Sequence, residues 1–377
     1  MSAGANGYVR GMPARPESIA VVGAGIVGLS TAFALRRRGI AVRIYERGEI
    51  GGGQSAGATR IFRLNHVDRR LVALARTARE LWLGWEQEAG RELLGGSGVV
   101  VAGPTADDRL AGVLGAGGDA VRADPGAQRS VLPALAGLPQ PAFIDCGGGP
   151  IWTDAALGWL AGSLQDVLTR SEVLALTRNE SGATEVLTPH GVELHRSVIV
   201  AAGQDTARIA ATRGVIVPVR QTLHARGTFA LRDRSAEVLA ALQDSTGHYG
   251  HSVYGSPLPD GEHYAIGLSG DEGELDPYAN PTATFRAVRE GLEEYVERAM
   301  PGLDPDPVTW VNCSVTRLPW GSDAVACYTD GTNLFVVGNN LFKHAPALGE
   351  LLAAAAEGGT FPADLSDSRR LGSACTA

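Results

Sequence analysis

The stretch Ile19-Ala-Val-Val-Gly-Ala-Gly-Ile-Val-Gly28 decides the fold of this 377-residue chain. Its first four residues are apolar and predict a buried parallel strand. Apolar residues recur at helical spacing over residues 29–38, and Gly39 follows as a helix stop. Residues 41–45 form a second strand-like run, which Glu46 closes. The glycines therefore lie between a strand and a helix, and an acidic residue ends the next strand.

The three glycines of this motif have separate physical tasks. Gly23 permits the tight turn, Gly25 lets the backbone approach a pyrophosphate, and Gly28 lets helix and strand pack closely. The helix N-terminus offers free N–H groups and partial positive charge to phosphates. Glu46 is placed to accept hydrogen bonds from ribose hydroxyls. Strand, motif, helix, strand and acid in this order predict a Rossmann-type dinucleotide site.

Composition narrows the class of protein. Hydrophobic residues make up 44% of the chain and charged residues 20%, which is typical of a globular protein of about two domains. The net charge of −8, without a dense basic patch, argues against nucleic acid as a partner. The four cysteines have neither CxxC nor metal-ligand spacing, so we expect free thiols and no metal site.

Targeting and membrane signals are missing from the sequence pattern. Residues 1–17 lack the apolar core of a signal peptide. The longest apolar stretch, residues 19–35, is interrupted by glycines and runs into three arginines, so it does not suit a membrane span. We expect a cytoplasmic protein that does not enter a membrane.

Two later segments favour FAD over NAD as the dinucleotide. The run Arg196-Ser-Val-Ile-Val-Ala-Ala-Gly203 resembles the second fingerprint of FAD-containing two-domain enzymes, which simple NAD dehydrogenases lack. The strand-like run 333–338, followed by a helix over 347–357, resembles the late segment that brings a helix N-terminus to the flavin ring. The three pieces in this order predict FAD.

The single lysine of the chain, Lys343, stands against 32 arginines. Because the chain uses arginine at every other Lys or Arg position, the lone lysine indicates a role that needs lysine itself. It follows an apolar strand, at a place where a strand end faces a ligand crevice in folds of this kind. A solvated surface lysine is the ordinary alternative.

Short motifs along most of the chain resemble the family of monomeric sarcosine oxidase and N-methyltryptophan oxidase. The resemblance covers about residues 18–365, and the shared order of the motifs carries it. The matching segments are Gly57-Ala-Thr-Arg-Ile-Phe-Arg63, Leu81-Trp-Leu-Gly-Trp-Glu86, Gly149-Pro-Ile-Trp-Thr-Asp154, Pro218-Val-Arg-Gln221, Cys313-Ser-Val-Thr316 and Phe342-Lys343.

The resemblance implies roles for individual residues. Arg63 and Lys343 match the pair that holds the substrate carboxylate, and Tyr254 matches a tyrosine of the substrate pocket. Arg60 matches the arginine packed on the flavin, where a cation stabilises the reduced ring. Cys313 matches the cysteine that is bonded to the flavin, although a buried inert thiol is the usual role in such a run. The implied cofactor contacts are Gly23, Gly25, Gly28, Glu46, Arg47, Thr59, Arg60, Val173, Gly203, Cys313, Gly338 and Lys343.

Four departures concern the reaction with oxygen and the substrate. Ala265 stands where the family has a lysine that helps oxygen accept electrons, and His251 and His263 are the candidates for a replacement cation. Ser269 and Ala56 stand where the family has histidines. A bulkier and more polar turn over 338–343 replaces a glycine-rich one. These changes suggest slower oxidase turnover and a modified substrate.

The sequence therefore predicts an α/β fold, with a Rossmann-type FAD-binding domain and an antiparallel β-sheet substrate domain, as in glutathione-reductase-like and DAO-like two-domain flavoproteins. We expect residues 17–92, 150–216 and 312–365 in the FAD domain, 93–149 and 217–311 in the substrate domain, and flexible tails over 1–16 and 366–377.

The expected activity is FAD-dependent oxidation of a C–N bond in an amino acid or secondary amine that carries a carboxylate. Hydride passes to the flavin, and O2 is the expected acceptor, giving H2O2, with a role in a specialised biosynthetic pathway. A dehydrogenase of the same fold that uses another acceptor is the first alternative. An FAD-binding protein without catalysis is the second.

Overall fold

The computed structural model describes residues 17–233, 239–270, 274–275 and 281–373. The helices are α1 (Ile26–Arg37), α2 (Arg69–Ala89), α3 (Ala106–Gly115), α4 (Pro125–Val131), α5 (Thr153–Leu164), α6 (Thr206–Ala211), α7 (Pro281–Ala299) and α8 (Ala345–Gly358). The strands are β1 (Ile19–Val22), β2 (Val42–Glu46), β3 (Thr59–Phe62), β4 (Val99–Ala102), β5 (Ala120–Arg122), β6 (Ala142–Asp145), β7 (Gly149–Trp152), β8 (Leu168–Arg170), β9 (Ala175–Arg178), β10 (Thr184–Thr188), β11 (Gly191–His195), β12 (Ser197–Val200), β13 (Arg220–Leu231), β14 (Ala241–Asp244), β15 (Val253–Pro257), β16 (His263–Leu268), β17 (Glu274–Leu275), β18 (Leu303–Arg317), β19 (Val325–Thr329) and β20 (Leu334–Gly338).

A six-stranded sheet holds the glycine motif at its centre. Its strand order is β19-β20-β12-β1-β2-β8, and all neighbours run parallel except β19 and β20. β1 is wholly apolar and buried, as a strand covered on both faces must be. α1 packs against α5 and α8 on one face of this sheet. The carboxyl ends of β1, β12 and β20 therefore meet at one edge, where ligands bind in open α/β sheets.

A nine-stranded sheet forms the second layer. Its order is β17-β13-β16-β15-β14-β4-β6-β5, and β18 pairs with β13. Every pairing is antiparallel except that of β14 with β4. α7 packs on this sheet through β13, β16 and β18. A three-stranded sheet (β11-β10-β9) and the pair β3-β7 complete the fold.

The predicted fold class is confirmed, and several predicted element bounds shift. α1 begins at Ile26, three residues earlier than expected, directly after Gly25. α8 begins at Ala345 and continues to Gly358. Both helices therefore begin immediately beside the residues that the sequence assigns to the site.

Residues 366–373, the described part of the expected C-terminal tail over 366–377, make contacts with the rest of the fold. Leu371 is buried, and its carbonyl accepts a hydrogen bond from Trp320 Nε1 at 3.1 Å. The N–H of Gly372 donates to Asp68 Oδ2 at 2.9 Å. The expectation for residues 1–16 and for 374–377 lies outside the described residues. Of the helices in the described ranges, none combines the length and apolarity needed to cross a membrane.

Candidate active site

One cavity of about 850 Å³ runs from the glycine motif to Lys343, between the two large sheets. It brings together twelve residues that the sequence had singled out, namely Gly23, Gly25, Glu46, Arg47, Arg60, Arg63, Val173, Gly203, Tyr254, Cys313, Gly338 and Lys343. Gly28 and Thr59 lie beside the cavity and do not line it. Residues from distant parts of the chain thus line one cavity.

The end of the cavity at the glycine motif has the shape that a dinucleotide needs. Gly23 has a φ of +104°, which favours glycine. A Cβ at Gly28 would collide with the carbonyl oxygen of Gly23, so α1 approaches β1 as closely as the motif predicts. Glu46 accepts hydrogen bonds from the N–H groups of Ala24 at 2.7 Å and Gly48 at 2.8 Å. Arg47 forms an ion pair with Asp205 at 2.6 Å, and both side chains line the cavity.

Two guanidinium groups face each other in the middle of the cavity. A Cβ on Gly57 would lie 2.6 Å from Arg226 Nη2 and 3.1 Å from Arg60 Nη1, and Gly57 has a φ of +108°. Arg60 donates to the carbonyl groups of Thr59, at 2.8 Å, and of Ala56. Burial, and then the charge of Arg226, lowers the pKa of Arg60 to about 10, so it stays cationic at neutral pH. Carbonyl groups that hold like charges together indicate a site prepared for an anion.

Arg226 is a site residue that the sequence reasoning missed. It lies on β13, is buried, and donates to the carbonyl of Thr59 at 3.3 Å. Its Nη2 lies 3.9 Å from the Sγ of Cys313. Residues 222, 224, 226 and 228 of β13 are all polar and buried, and this period-two pattern was the signal for a strand facing a polar pocket.

Ala265 lines the cavity, and a buried arginine of the neighbouring strand, Arg226, lies close to it in the sheet. β13 and β16 pair so that Thr228 lies opposite Ala265 and Arg226 opposite Gly267. Directly opposed residues of an antiparallel pair share a face, so Arg226 is on the face of Ala265. His251 and His263, the expected candidates for a replacement cation, do not line the cavity.

Tyr254 packs into the space left by a glycine on the adjacent strand. It lies opposite Gly267 in the β15–β16 pair, and a Cβ on Gly267 would come within 2.6 Å of the Tyr254 ring and hydroxyl. Burial raises the pKa of the Tyr254 hydroxyl, so the side chain is a neutral donor at physiological pH. Tyr254 therefore forms an uncharged wall beside the two arginines.

The far end of the cavity is a cluster of buried charges around Arg63. Arg63 is 7% exposed and forms an ion pair with Asp323. Its Nη1 also donates to the carbonyl of Asn65 at 2.7 Å. Asn340 Nδ2 donates to Asp323 Oδ1 at 2.5 Å, and His66 Nδ1 lies 3.2 Å from Asp323 Oδ2. Arg63 is thus fixed in place and paired with a carboxylate of the protein itself.

Lys343 is buried, not a surface lysine. It is 3% exposed, and its Nζ donates to the carbonyl of Asn340 at 3.0 Å. The indole of Trp82, on α2, donates to the Lys343 carbonyl at 3.0 Å and holds the turn before α8. Burial, followed by the charge of Arg63, lowers the pKa of Lys343 to about 7, while Asp323 opposes that shift. Near neutral pH, Lys343 is therefore protonated in about half of the molecules.

Asp323 and Arg109 complete this end of the cavity, and no sequence motif pointed to either. Asp323 comes from the loop before β19, and Arg109 reaches the cavity from α3. Asn340 has a φ of +56°, a conformation that asparagine tolerates, and this turn aims its carbonyl at Lys343 and its amide at Asp323. Long-range packing, which a local pattern does not encode, brings these groups together.

The geometry fits FAD. A glycine loop at the N-terminus of α1 and the acid Glu46 suit the adenosine pyrophosphate half, and the same cavity continues to paired cations near Tyr254. A nucleotide without a flavin would leave this second half unused. In the described ranges, no group of three histidine, cysteine, aspartate or glutamate side chains could hold a metal ion.

Solved structures with the same fold include several described as amino acid oxidases or dehydrogenases, each below 25% identity. NikD, described as an unusual amino acid oxidase essential for nikkomycin biosynthesis, aligns in its open form with a TM-score of 0.74 and 23% identity, over 90% of this chain and 94% of its own. L-proline dehydrogenase from P. horikoshii aligns with a TM-score of 0.76 and 19% identity, over 92% and 95%. Glycine oxidase from Geobacillus kaustophilus aligns with a TM-score of 0.71 and 19% identity, over 91% and 95%.

The family model supplies the identification that these low identities do not. No sequence among curated proteins matches the chain. The model described as "DAO: FAD dependent oxidoreductase" matches residues 18–355, which span both large sheets and the whole cavity. The chain binds FAD and is an enzyme, and it belongs to the DAO family of FAD-dependent oxidoreductases.

Proposed function

We propose that the enzyme oxidises the C–N bond of an amino acid, or of a secondary amine that carries a carboxylate. The observation that carries this proposal is the single cavity, which joins a dinucleotide-binding loop to a buried cluster of cations. Such a cluster selects an anionic small molecule and aligns it with the cofactor. The description of NikD as an amino acid oxidase in nikkomycin biosynthesis accords with an amino acid-derived substrate from a specialised pathway.

The carboxylate of the substrate would bind beside Lys343, with Arg63 as second donor. Lys343 supplies a point charge, and its Nζ donates a hydrogen bond to a backbone carbonyl, that of Asn340. Arg63 is held rigidly by Asp323 and by the carbonyl of Asn65, so it offers the substrate a fixed edge. Nearby cations also lower the pKa of a bound amine, which favours the neutral form that can lose hydride.

Bound FAD supplies the ring that accepts the hydride and gains negative charge. Arg60 and Arg226 place two positive charges in the middle of the cavity, where Tyr254 and Cys313 also face it. Fixed cations in a site shielded from water stabilise developing negative charge without reorganisation. We assign this task to the two arginines together.

Oxygen is the acceptor that we propose, and Arg226 is the reason. Electron transfer to O2 first produces an anion, which a nearby cation stabilises. Arg226 lies on the same face of the sheet as Ala265, whose own side chain carries no charge. The apolar Ala265 itself favours the alternative, a dehydrogenase that passes electrons to another acceptor.

The test uses purified holoprotein in the absence of air. Amino acids, N-methyl amino acids and cyclic imino acids are added one at a time, and loss of the flavin absorbance at visible wavelengths reports reduction. We expect bleaching by at least one carboxylate-bearing amine and none by the matched amide or ester. Bleaching by no compound would contradict the proposal.

The acceptor is then identified by mixing the reduced protein with air-saturated buffer in a stopped-flow instrument. Rapid recovery of the absorbance with one equivalent of H2O2 supports an oxidase. Slow recovery, accelerated by an artificial acceptor, supports the dehydrogenase.

A further inference from the structure

The cluster at the far end of the cavity includes an arginine, Arg109, whose hydrogen-bonding groups are not all paired within the described residues. Arg63, Arg109, Lys343 and Asp323 all line the cavity, and the carboxylate of Asp145 is buried behind Asn65. Asp323 is already engaged with Arg63 and Asn340. The charge of Asp323 acts on Arg109, but the hydrogen bond of Arg109 is to Asn65 and not to that carboxylate.

Arg109 is held in place but not satisfied. Its Nη1 lies 3.5 Å from Asn65 Oδ1, at the limit of a hydrogen bond, and its buried Nε has no partner among the described residues. Leaving a buried cationic donor unpaired costs free energy, and an anionic ligand removes that cost. Burial, and then the charge of Arg63, lowers the pKa of Arg109 only to about 10, so the group remains cationic.

The position of Arg109 is built by its neighbours. Asp145 accepts hydrogen bonds from the backbone N–H of Asn65 at 3.1 Å and from its amide Nδ2 at 3.0 Å. With its nitrogen so engaged, the amide of Asn65 turns its oxygen toward Arg109. The same residue accepts from Arg63 through its backbone carbonyl at 2.7 Å. Asn65 thus fixes two guanidinium groups relative to each other, one on each side of it.

Arg109 comes from the opposite side of the cavity to Lys343. It lies on α3, which packs on the nine-stranded sheet through β5 and β6, whereas Lys343 follows β20 of the six-stranded sheet. A ligand with an acidic group at each of two positions can reach both sides of the cavity.

We propose that Arg109 forms a second anion subsite and that the substrate is an amine or amino acid with two acidic groups. One carboxylate binds at Lys343 and Arg63, and the other binds at Arg109. This inference rests on the proposed function for the first carboxylate, and adds to it the chemical class of the remainder of the substrate.

The test measures binding to the FAD-loaded protein, so it does not depend on turnover. Succinate is compared with butyrate, and glutarate with valerate, which match them in chain length but carry one carboxylate. Dissociation constants come from perturbation of the flavin spectrum and from the shift in the unfolding midpoint. We expect at least one dicarboxylate to bind about 10-fold more tightly than the monocarboxylate of the same chain length. This ratio corresponds to about 1.4 kcal/mol of binding free energy.

Two variants assign the preference to Arg109. In Arg109→Gln the ratio of the two dissociation constants should fall to about 1, while monocarboxylate binding stays as in the wild type. Arg109→Lys keeps the charge and should retain part of the preference. Flavin content and far-UV circular dichroism report whether either variant is folded.

The outcomes separate the two proposals. Equal binding of mono- and dicarboxylates by the wild type overturns the second subsite and leaves the proposed function standing. Equal weakening of both ligands in Arg109→Gln also overturns it, because Arg109 would then hold the first carboxylate. Flavin that carboxylate-bearing amines do not bleach, in a protein that still prefers dicarboxylates, counts against the proposed function alone.

Discussion

The binding of a simple carboxylate should weaken steeply as the pH rises above about 7, because Lys343 loses its proton. Lys343 is the one cation of the cluster that titrates near neutrality, since its pKa lies at about 7. Burial lowers the pKa of His66 to about 3 and that of His344 well below its usual value, so both are neutral above pH 6. Arg109 keeps its charge throughout this range. Burial acts to raise the pKa of Asp323, but the charges of Arg63 and Lys343 outweigh burial and hold that pKa well below its usual value.

The magnitude follows from the pKa of Lys343. If the ligand binds only the protonated lysine, each pH unit above 7 costs about 1.4 kcal/mol, so affinity falls about 100-fold between pH 6 and pH 9. One charge about 4 Å away is worth about 4 kcal/mol at an effective dielectric constant of 20. That exceeds the roughly 2.7 kcal/mol lost over two pH units, so the neutral lysine contributes little across this range.

The assay is a titration of holoprotein with propionate, which has no group that titrates between pH 6 and 9. Flavin absorbance reports binding at each pH. Lys343→Arg serves as the matched control, because arginine keeps its charge and should give a flat profile. Lys343→Met should bind weakly at every pH. A wild-type dissociation constant that is constant from pH 6 to 9, or a slope that survives in Lys343→Met, would refute the reasoning.

Four further outcomes are expected. Gly28→Ala should yield colourless protein, measured as the flavin-to-protein ratio, because its Cβ collides with the preceding turn. Gly267→Ala should raise KM more than it lowers kcat by displacing Tyr254, with flavin content unchanged as the control. Arg226→Met should slow reoxidation by air by about 100-fold or more in stopped flow, and Arg226→Lys should restore part of the rate. After acid precipitation, yellow colour should stay with the wild-type pellet and pass to the supernatant in Cys313→Ser; colour in the supernatant for both proteins would contradict attachment.

The nucleotide half of the site could be predicted because its signals are local. A strand, a glycine turn and a helix succeed one another within residues 19–37, and the structure reproduces them with small shifts at their ends. The turn requires glycine because Gly23 has a positive φ and because a side chain on Gly28 would collide with the Gly23 carbonyl. Cofactor class followed from three such segments in order, each of which ends at the same sheet edge.

The substrate half could not be predicted to the same depth, because pairing partners far apart in the chain build it. The role of Arg226 depends on the register of β13 against β16, which sets it on the face of Ala265. A shift of one residue would turn that side chain to the other face. The resemblance placed Arg63 and Lys343 at a substrate carboxylate, but Asp323 comes from a loop without a motif and changes the charge that this pair offers.

Burying Lys343 is costly, and that cost explains how ligand binding and stability are linked in this site. Its pKa falls from 10.5 to about 7 on folding, so the unfolded chain binds more protons between these values. The burial of Lys343 therefore lowers the free energy of unfolding by about 4 kcal/mol at pH 7, and by less as the pH rises toward 10. An anion beside Lys343 raises its pKa again and recovers part of that loss. The free-energy cost of burying the Lys343 ammonium group is thus reduced when an acidic ligand occupies the cavity.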